Sequence, residues 1–273
     1  MNRNTILDYY AQEVEANRLE LEHFKLEGIR TREIIERYVK GDGLRILDVG
    51  GGAGYYSFWL QQKGHSVTLV DLSPKNIELV KARCATGDTV LTGVERGDAV
   101  NLNFPDEQFD IVLMLGPLYH LTERAERVQA LSEAMRVLKP NGILLAAVIS
   151  RYASLIDGFQ RDLILDNRFF DVVVDDLNTG LHLNNSNNPE YFTTAYFHTP
   201  EEIVSEVKET GLRFETLIAV ESFGWMVKGF SEKEKDAVYM KKLLGIIRMV
   251  EVKEDLIAIS PHIMAVARKD QHR

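Results

Sequence analysis

An alternation of apolar and amphipathic segments between residues 44 and 149 limits the possible folds more than any other feature of this sequence. The apolar segments have the length of β-strands, and helical periodicity recurs between them. The predicted strands are Leu44–Val49, Ser66–Asp71, Thr89–Arg96, Phe109–Leu115 and Gly142–Ile149. Short apolar strands that alternate with helices form a parallel sheet covered on both faces, and right-handed crossovers make it doubly wound. We therefore expect an α/β fold that binds its ligand at the carboxyl ends of the strands.

The rest of the chain adds helices, one long connection and two further strands. Residues from about 4 to 40 have helical periodicity, which Gly28 is expected to interrupt. Phe214–Ser222 and Ser260–Ala267 predict two more strands, so we expect a seven-stranded, mostly parallel sheet. The predicted regions are an N-terminal helical cap (1–40), a ligand-binding core (41–150), a lid insertion (151–198) and the C-terminal part of the core (199–273) with a helical insertion (231–252).

Capping residues predict where three of the helices begin. Ser73 and Thr199 each stand directly before a proline, which suits the first position of a helix. Thr122 is the expected N-cap of a helix that runs to Leu138 and ends before Pro140-Asn141-Gly142.

A cluster of glycines follows the first predicted strand, directly after the acidic residue Asp48. The cluster does not fit an NAD-binding turn, because the sixth position of that pattern is Tyr55 or Ser57 rather than glycine. It also lacks the Gly-Lys-Ser/Thr that closes a nucleotide P-loop. Two further acids also lie at or just after the end of a predicted strand. Asp71 ends the second strand, and Asp98 comes after the third.

Taken together, these segments resemble the class I S-adenosylmethionine-dependent methyltransferases, which have a Rossmann-like fold. The resemblance covers about residues 44–149 and is greatest to small-molecule enzymes of the ubiquinone- and menaquinone-biosynthesis type. It rests on five segments in order, namely Ile46–Gly54 (ILDVGGGAG), Val70–Ser73 (VDLS), Gly97–Ala99 (GDA), Phe109–Val112 (FDIV) and Leu138–Gly142 (LKPNG).

The resemblance implies that S-adenosylmethionine is the cofactor and S-adenosylhomocysteine its product. Asp71 would accept both ribose hydroxyls, as the acid of a dinucleotide site does, and Asp48 would contact the amino-acid end. Asp48, Asp71 and Asp98 could instead cap turns or helices, and Gly51 could serve the turn alone. The other implied contacts are adenine for Leu72, Asp98 and Ala99, the methionyl part for Leu115 and Tyr10, and a close backbone approach with free amides for Gly50, Gly51, Gly52 and Gly54.

The segment Leu115–Leu121, after the fourth predicted strand, lies where these enzymes bring the acceptor to the methyl group. Gly116 replaces the polar residue of the pattern found in methylases that act on amino groups of nucleic acids and proteins. His120 is the candidate general base, because imidazole titrates near neutral pH. It could instead cap the next helix or pack under the lid. Tyr119 could orient the acceptor, face the sulfonium or simply pack.

The lid supplies four candidate substrate contacts. Arg151 follows the fifth predicted strand and could pair with an acidic substrate or with an acid of the lid. His198 could contact substrate or be structural. The other two candidates are Tyr191 and Tyr196.

Composition limits the classes of partner. A formal net charge of −9 argues against nucleic acid, and the single cysteine, Cys84, fits a reducing compartment. No segment predicts a membrane span or a metal site, so we expect a cytoplasmic protein, monomeric or homodimeric, without metal.

The expected function is methyl transfer to the O, N or C atom of a small organic acceptor by in-line displacement. The alternatives are a non-catalytic S-adenosylmethionine-binding sensor or partner protein, an RNA or protein methyltransferase and, least favoured, an NAD oxidoreductase.

Overall fold

The computed structural model describes residues 24–186 and 188–271, which are built around a seven-stranded sheet. In this part of the chain the strands are β1 (Arg45–Val49), β2 (Ser66–Asp71), β3 (Gly93–Arg96), β4 (Phe109–Met114), β5 (Leu138–Ile149), β6 (Leu181–His182), β7 (Ala195–Tyr196), β8 (Arg213–Ala219) and β9 (His262–Arg268). The large sheet has the order β3-β2-β1-β4-β5-β9-β8, and β6 pairs with β7 in a separate ribbon. In the large sheet only β9 is antiparallel to its neighbours, β5 and β8. The expected doubly wound, mostly parallel sheet is confirmed.

Helices cover both faces of the sheet. Among the described residues they are α1 (Lys25–Tyr38), α2 (Tyr55–Gln62), α3 (Pro74–Thr86), α4 (Pro117–His120), α5 (Arg124–Val137), α6 (Ala153–Gln160), α7 (Asn167–Thr179), α8 (Pro200–Glu209), α9 (Phe230–Lys233), α10 (Ala237–Val250) and α11 (Glu254–Ile257). Apolar side chains of α1, α2 and α3 pack on one face of the sheet, and those of α5, α8 and α11 pack on the other. Because both faces are covered, the central strands are apolar on both sides.

The predicted helix starts are right in two cases and wrong in the third. Ser73 accepts a hydrogen bond from the amide of Asn76, and Thr199 forms a capping box with Glu202. The helix expected from Thr122 begins instead at Arg124. The carbonyl of Thr122 accepts a hydrogen bond from Arg127 Nη1 at 2.8 Å, which holds this residue outside the helix.

Three other local predictions are corrected. Gly28 does not break α1, because it is buried within the continuous helix, where the absence of a side chain suits close packing. The third strand starts at Gly93 and not at Thr89, although the amide of Thr92 already donates to the carbonyl of Val67 in β2 at 2.9 Å. The fifth strand begins at Leu138, so Pro140-Asn141-Gly142 lies inside β5 and does not precede it, with Asn141 at a φ of 64°.

The lid region contains helices that the sequence reading did not predict. Its helices α6 and α7 enclose a small apolar cluster with Phe169, Val173 and Tyr191 at its centre. Within the same region, His182 Nδ1 lies 2.8 Å from Asp176 Oδ2 and ties the ribbon to α7. The helix α10 lies within the predicted insertion 231–252. The division of the chain into four regions remains a prediction.

Candidate cofactor and acceptor site

The acids and glycines singled out in the sequence lie at one edge of the sheet. Because β1, β2, β3 and β4 are parallel neighbours, their carboxyl ends share that edge. The residues that follow these four strands there are Gly50–Gly54, Leu72, Asp98–Ala99 and Leu115–His120.

The glycine turn is folded by its own amides. The amide of Gly50 donates to the carbonyl of Val70 at 2.7 Å, and the amide of Gly54 donates to the carbonyl of Gly51 at 2.9 Å. The amide of Gly52 donates to Asp71 Oδ2 at 2.9 Å. The expectation that these glycines offer free amides is therefore wrong for the structure as it stands. They offer a backbone without side chains that a ligand can approach closely.

Three of these glycines have no room for a side chain, and at Gly54 a Cβ atom would lie 2.9 Å from Cδ2 of Phe58. A Cβ atom at Gly50 would lie 2.6 Å from Cγ of Pro117, and one at Gly51 would lie 2.8 Å from Oδ2 of Asp48. Gly50 also has a φ of 71°, which side chains disfavour. Glycine is therefore needed at position 51 for packing as well as for the turn, because a side chain there would collide with Asp48.

Asp48 is a buried carboxyl to which, among residues 24–186 and 188–271, one side chain donates a hydrogen bond. The hydroxyl of Ser57 donates to its Oδ2 at 2.6 Å. Burial raises the pKa of Asp48 from 3.8 to about 6, against the lowering effect of that hydrogen bond. A buried carboxylate of this kind is stabilised by a cation, so the site suits a positively charged ligand group.

Asp71 closes β2 and is held by three donors. Its Oδ1 accepts hydrogen bonds from the amide of Ser73 at 2.8 Å and from Nδ2 of Asn76 at 3.1 Å, and Gly52 donates to its Oδ2. Burial raises its pKa in spite of these donors. Its orientation at the edge is therefore fixed before any ligand binds.

The remaining predicted cofactor contacts line the same edge. Leu72 and Leu115 are half-buried, and Leu115 packs beneath α1 and α2 against the core of that face. Ala99 is buried. The amide of Val100 donates a hydrogen bond to Oδ1 of Asp98 at 3.2 Å, which agrees with the alternative that Asp98 caps a turn. Tyr10 lies outside the described residues.

Tyr119 and His120 form a bridge between the edge of the sheet and the lid. Their ring centroids are 4.6 Å apart, and those of Tyr119 and Phe192 are 6.4 Å apart. The ring of Phe192 lies 6.2 Å from that of His120, and its backbone has a φ of 64°. The structure thus brings both candidate catalytic residues under the lid, and Phe192, which the sequence reading missed, completes this group.

Residues 47–146 match the family model described as a methyltransferase domain. A demethylmenaquinone methyltransferase of Tropheryma whipplei is 32% identical over 120 residues, covering 44% of this chain and 47% of that protein. A ubiquinone/menaquinone biosynthesis C-methyltransferase of Ruegeria sp. is 36% identical over 123 residues, which cover 44% of this chain and 47% of that protein. The chain spans about half the length of the curated relatives it matches.

Residues 47–146 are therefore a methyltransferase domain of the class I S-adenosylmethionine-dependent type. The crystal structure of a methyltransferase from Methanosarcina mazei has the same fold, with a TM-score of 0.59, 21% identity and coverage of 87% of this chain and 97% of that one. The family resemblance inferred from the sequence is therefore confirmed, and the cofactor of this family is S-adenosylmethionine.

The residues of the methyltransferase domain fit that cofactor. Asp48, buried and short of donors, suits the ammonium of the amino-acid end, and the side-chain-free turn at Gly50 and Gly52 admits a close ligand. Asp71 lies at the strand end where an acid can accept ribose hydroxyls.

The lid residues expected to bind substrate are engaged with one another or with α8. Arg151 donates to Glu202 at 2.7 Å and to the carbonyl of Phe197 at 2.8 Å. Tyr196 donates to Glu202 Oε1 at 3.0 Å. The structure thus favours the salt-bridge alternative for Arg151 over an acidic substrate.

His198 and Tyr191 are also tied to the protein interior. His198 Nε2 lies 3.2 Å from Glu206 Oε2, and burial lowers the pKa of His198. Tyr191 donates to Asp166 Oδ2 at 2.7 Å and packs edge-on against Phe169. These contacts favour the structural alternative for His198 and place Tyr191 in the apolar cluster of the lid.

One group of polar residues at the edge was missed by the sequence reading. Glu27, Glu221 and His262 bring one potential ligand atom each within 4.8 Å of one another. However, His262 Nδ1 and Glu221 Oε1 are 2.6 Å apart, whereas two ligands of one zinc ion are separated by roughly 3.3 Å, given bonds of about 2.0 Å. They form a hydrogen-bonded pair. The sequence signal that could have identified Glu221 and His262 is their position near the ends of two predicted strands.

No helix in residues 24–186 or 188–271 has the length and apolar character needed to cross a membrane.

Proposed function

We propose that this chain is an enzyme that transfers the methyl group of S-adenosylmethionine to a small organic acceptor. The observation that carries the proposal is the joint placement of Asp48, Asp71 and the glycine turn at the carboxyl edge of a matched methyltransferase domain. The acceptor atom is an O, N or C nucleophile that attacks in line.

The roles of the chain's own residues follow from their positions. S-adenosylmethionine, when bound, supplies a methyl group on a positively charged sulfur. Asp71 holds the ribose and Asp48 holds the ammonium, which orients the methyl group toward the acceptor. Tyr119 packs against the acceptor, and His120 takes a proton from it where the acceptor carries one. The lid excludes water through the contact of Phe192 with this pair.

A small acceptor is favoured over a macromolecule by the lid and by charge. The ring of Phe192 lies 6.2–6.4 Å from the rings of Tyr119 and His120, the segment where the acceptor and the methyl group would meet, and an aromatic lid of this kind suits a small organic acceptor. The net charge of −9 disfavours nucleic acid. The two relatives carry names that refer to demethylmenaquinone and to ubiquinone and menaquinone biosynthesis, so hydroxylated aromatic and quinol compounds are the first acceptors to test. We further propose a cytoplasmic monomer or homodimer.

Calorimetric titration with S-adenosylhomocysteine tests the cofactor assignment, with NAD as the control ligand. We expect micromolar binding of the first and no binding of the second. Absence of S-adenosylhomocysteine binding to the wild-type protein would overturn the proposal.

A radiolabelled methyl-transfer assay tests the reaction with phenols, naphthols, reduced quinones and amines. We expect transfer to at least one of these classes, with a reduced kcat in His120→Gln and a normal kcat in His65→Gln, whose histidine lies at the opposite edge of the sheet. Binding without transfer to any acceptor would favour a non-catalytic cofactor-binding protein. Transfer to tRNA or protein alone would favour a macromolecular substrate.

A further inference from the structure

Phe192, in the lid, has a backbone conformation that side chains disfavour. Its φ is 64° and its ψ is −178°. This combination is essentially restricted to glycine, and another residue keeps it only where the surrounding contacts impose it. Strain of this kind clusters at active sites and ligand contacts. The contacts on either side of Phe192 must therefore hold it in place.

Two side chains of the lid hold the peptide groups before and after Phe192. His182 Nε2 lies 2.6 Å from the carbonyl oxygen of Tyr191, in the peptide group that precedes Phe192. Asn184 Nδ2 donates to the carbonyl oxygen of Phe192 itself at 2.8 Å. Because the orientations of these two peptide groups define φ and ψ, the two donors together form a clamp on the backbone of Phe192.

The ring of His182 is itself fixed by Asp176. His182 Nδ1 lies 2.8 Å from Asp176 Oδ2, and the two side chains are 2% and 0% exposed. The carboxylate of Asp176 and the carbonyl of Tyr191 can only accept, so both ring nitrogens of His182 donate. The ring also stacks on that of Phe197, with 4.7 Å between the centroids. These contacts aim the second donor of His182 at the peptide group before Phe192.

The clamped backbone directs the ring of Phe192 toward the candidate catalytic pair. The centroid of this ring lies 6.4 Å from that of Tyr119 and 6.2 Å from that of His120. An aromatic group placed between Phe192 and His120 would need about 7 Å, which is two van der Waals spacings of about 3.5 Å each. Phe192 therefore forms a wall that closes this side of His120 to an aromatic group.

Packing also contributes to the position of the wall. The ring of Phe192 packs against a buried cluster formed by Ile149, Ala195 and Phe197. Ile149 ends β5, so the ring stands where the lid meets the edge of the sheet. The contribution of the clamp is therefore measured with variants that keep this packing.

We propose that His182 and Asn184 are positioning residues that hold Phe192 as a wall of the acceptor space beside His120. Asp176 orients His182, and Phe192 controls the access of the acceptor to His120. This inference rests on the proposed function, because an acceptor space has a meaning only in a methyltransferase. The wall and its clamp, however, can be measured in the protein without cofactor.

Reaction of the histidines with diethyl pyrocarbonate tests the clamp, when the modification of each histidine in the ligand-free protein is followed by mass spectrometry. The double variant Asp176→Leu/His182→Phe replaces the buried pair by apolar side chains of similar size, which limits the loss of stability. Asn184→Leu removes the second donor. In either variant we expect His120 to react about tenfold faster than in the wild-type protein, the factor that one lost hydrogen bond gives.

Two further variants and two reference histidines separate the wall from a general loss of structure. Phe192→Ala should accelerate the reaction of His120 at least as much, and Phe170→Ala, at an exposed phenylalanine of α7, should not change it. His198, buried in the lid, and His65, at the opposite edge of the sheet, should keep their wild-type rates. Acceleration of His198 together with His120 would show that the lid unfolds, and an unchanged rate at His120 would show that Phe192 does not cover it. Either result would overturn the proposal.

The variants Phe192→Gly and Phe192→Ala test the strained backbone independently. Glycine normally stabilises a protein less than alanine does, because it gains more freedom in the unfolded chain. At the φ and ψ of Phe192 the order should be reversed, since alanine keeps the strain and glycine relieves it. We expect Phe192→Gly to unfold at the higher denaturant concentration, and the opposite order would argue against a clamped, strained residue.

Failure of this inference is distinguishable from failure of the proposed function. Binding of S-adenosylhomocysteine with unchanged reactivity of His120 in the clamp variants would overturn the clamp alone. Absence of S-adenosylhomocysteine binding by the wild-type protein would overturn the proposed function, and with it the acceptor role of the wall, whatever the reactivity of His120.

Discussion

The amide of Gly52 donates a hydrogen bond to Asp71 Oδ2, with 2.9 Å between the two atoms. This contact joins the glycine turn after β1 to the acid that ends β2, which are the two parts of the proposed cofactor site. A ligand hydroxyl that binds Asp71 therefore meets a carboxylate that is already oriented.

Replacement of Asp71 by alanine should weaken S-adenosylhomocysteine binding by roughly one hundredfold, because hydrogen bonds to a charged group contribute about 1.5–3 kcal/mol each. Calorimetric titration measures the effect, and Glu78→Gln, at an exposed acid on α3, is the matched control. Wild-type affinity in Asp71→Ala would remove the ribose assignment.

Binding of S-adenosylhomocysteine should weaken in acid because Asp48 must be ionised to hold an ammonium group. Burial raises the pKa of Asp48 to about 6 in the free protein, so affinity should fall by up to tenfold per pH unit below that value. Titrations between pH 5 and pH 8 measure this slope. The variant Asp48→Asn should bind weakly at pH 8 and lack the slope, and an equal slope in both proteins would contradict the assignment.

The same carboxyl makes the free protein less stable at high pH. A folded pKa above the model value of 3.8 means that its stabilising contribution is complete below pH 3.8 and is lost as the pH rises through about 6. At pH 8 the shift corresponds to about 3 kcal/mol, as an order of magnitude. Without ligand, Asp48→Asn should therefore raise the Tm at pH 8 and leave it nearly unchanged at pH 4. A lower Tm for the variant at pH 8 would argue against a buried, costly charge.

Alanine substitutions at Gly50 and Gly52 should separate backbone strain from steric conflict. Both residues have positive φ angles, 71° and 56°, but only Gly50 faces a neighbour, Pro117, where its Cβ would be. Gly52→Ala should lower the free energy of unfolding by about 1 kcal/mol, from strain. Gly50→Ala should lower it by about 2–4 kcal/mol, because overpacking is added. Denaturant unfolding measures both, and equal losses would contradict the close contact with Pro117.

The pair Arg127 and Glu206 should stabilise the contact between α5 and α8 far more than the exposed pair beside it. Arg127 Nη2 donates to Glu206 Oε1 at 2.8 Å, and both side chains are 2% exposed. Arg127→Met should lower the free energy of unfolding by about 3 kcal/mol, since it removes the charged partner of a buried carboxylate and leaves Glu206 with the contact to His198.

Arg124 and Glu209, on the same two helices, are about half-exposed and provide the control. Arg124→Met should produce no measurable change in unfolding. Similar losses in Arg124→Met and Arg127→Met would show that burial does not govern these pairs.

The residues proposed to bind the cofactor could be singled out from the sequence because they are local in it. Asp48 and Gly50 belong to one turn, and Asp71 ends a strand that apolar residues identify without any knowledge of the rest of the chain. Parallel pairing of adjacent strands then brings them to one edge. The helix α5 was misplaced by two residues because the carbonyl of Thr122 is held by Arg127, a tertiary contact that capping patterns do not encode.

The contacts of the lid and of the strand ends beyond β4 could not be predicted in the same way, because they join distant segments. Glu221 reaches His262 only because β9 is inserted between β5 and β8. Phe192 reaches His120 only once the lid has folded over the edge. Arg151 was expected to face substrate, and no pattern near it in the sequence indicates that Glu202 lies in its reach.

The position of β9 between β5 and β8 also determines when the protein can become native during its synthesis. Residues 262–268 leave the ribosome after every other strand of the sheet, yet they fill an interior slot and not an edge. Until then β5 and β8 each present an unpaired flank that can pair with another nascent chain. A chain truncated before residue 262 should therefore aggregate more readily than the chain that contains β9.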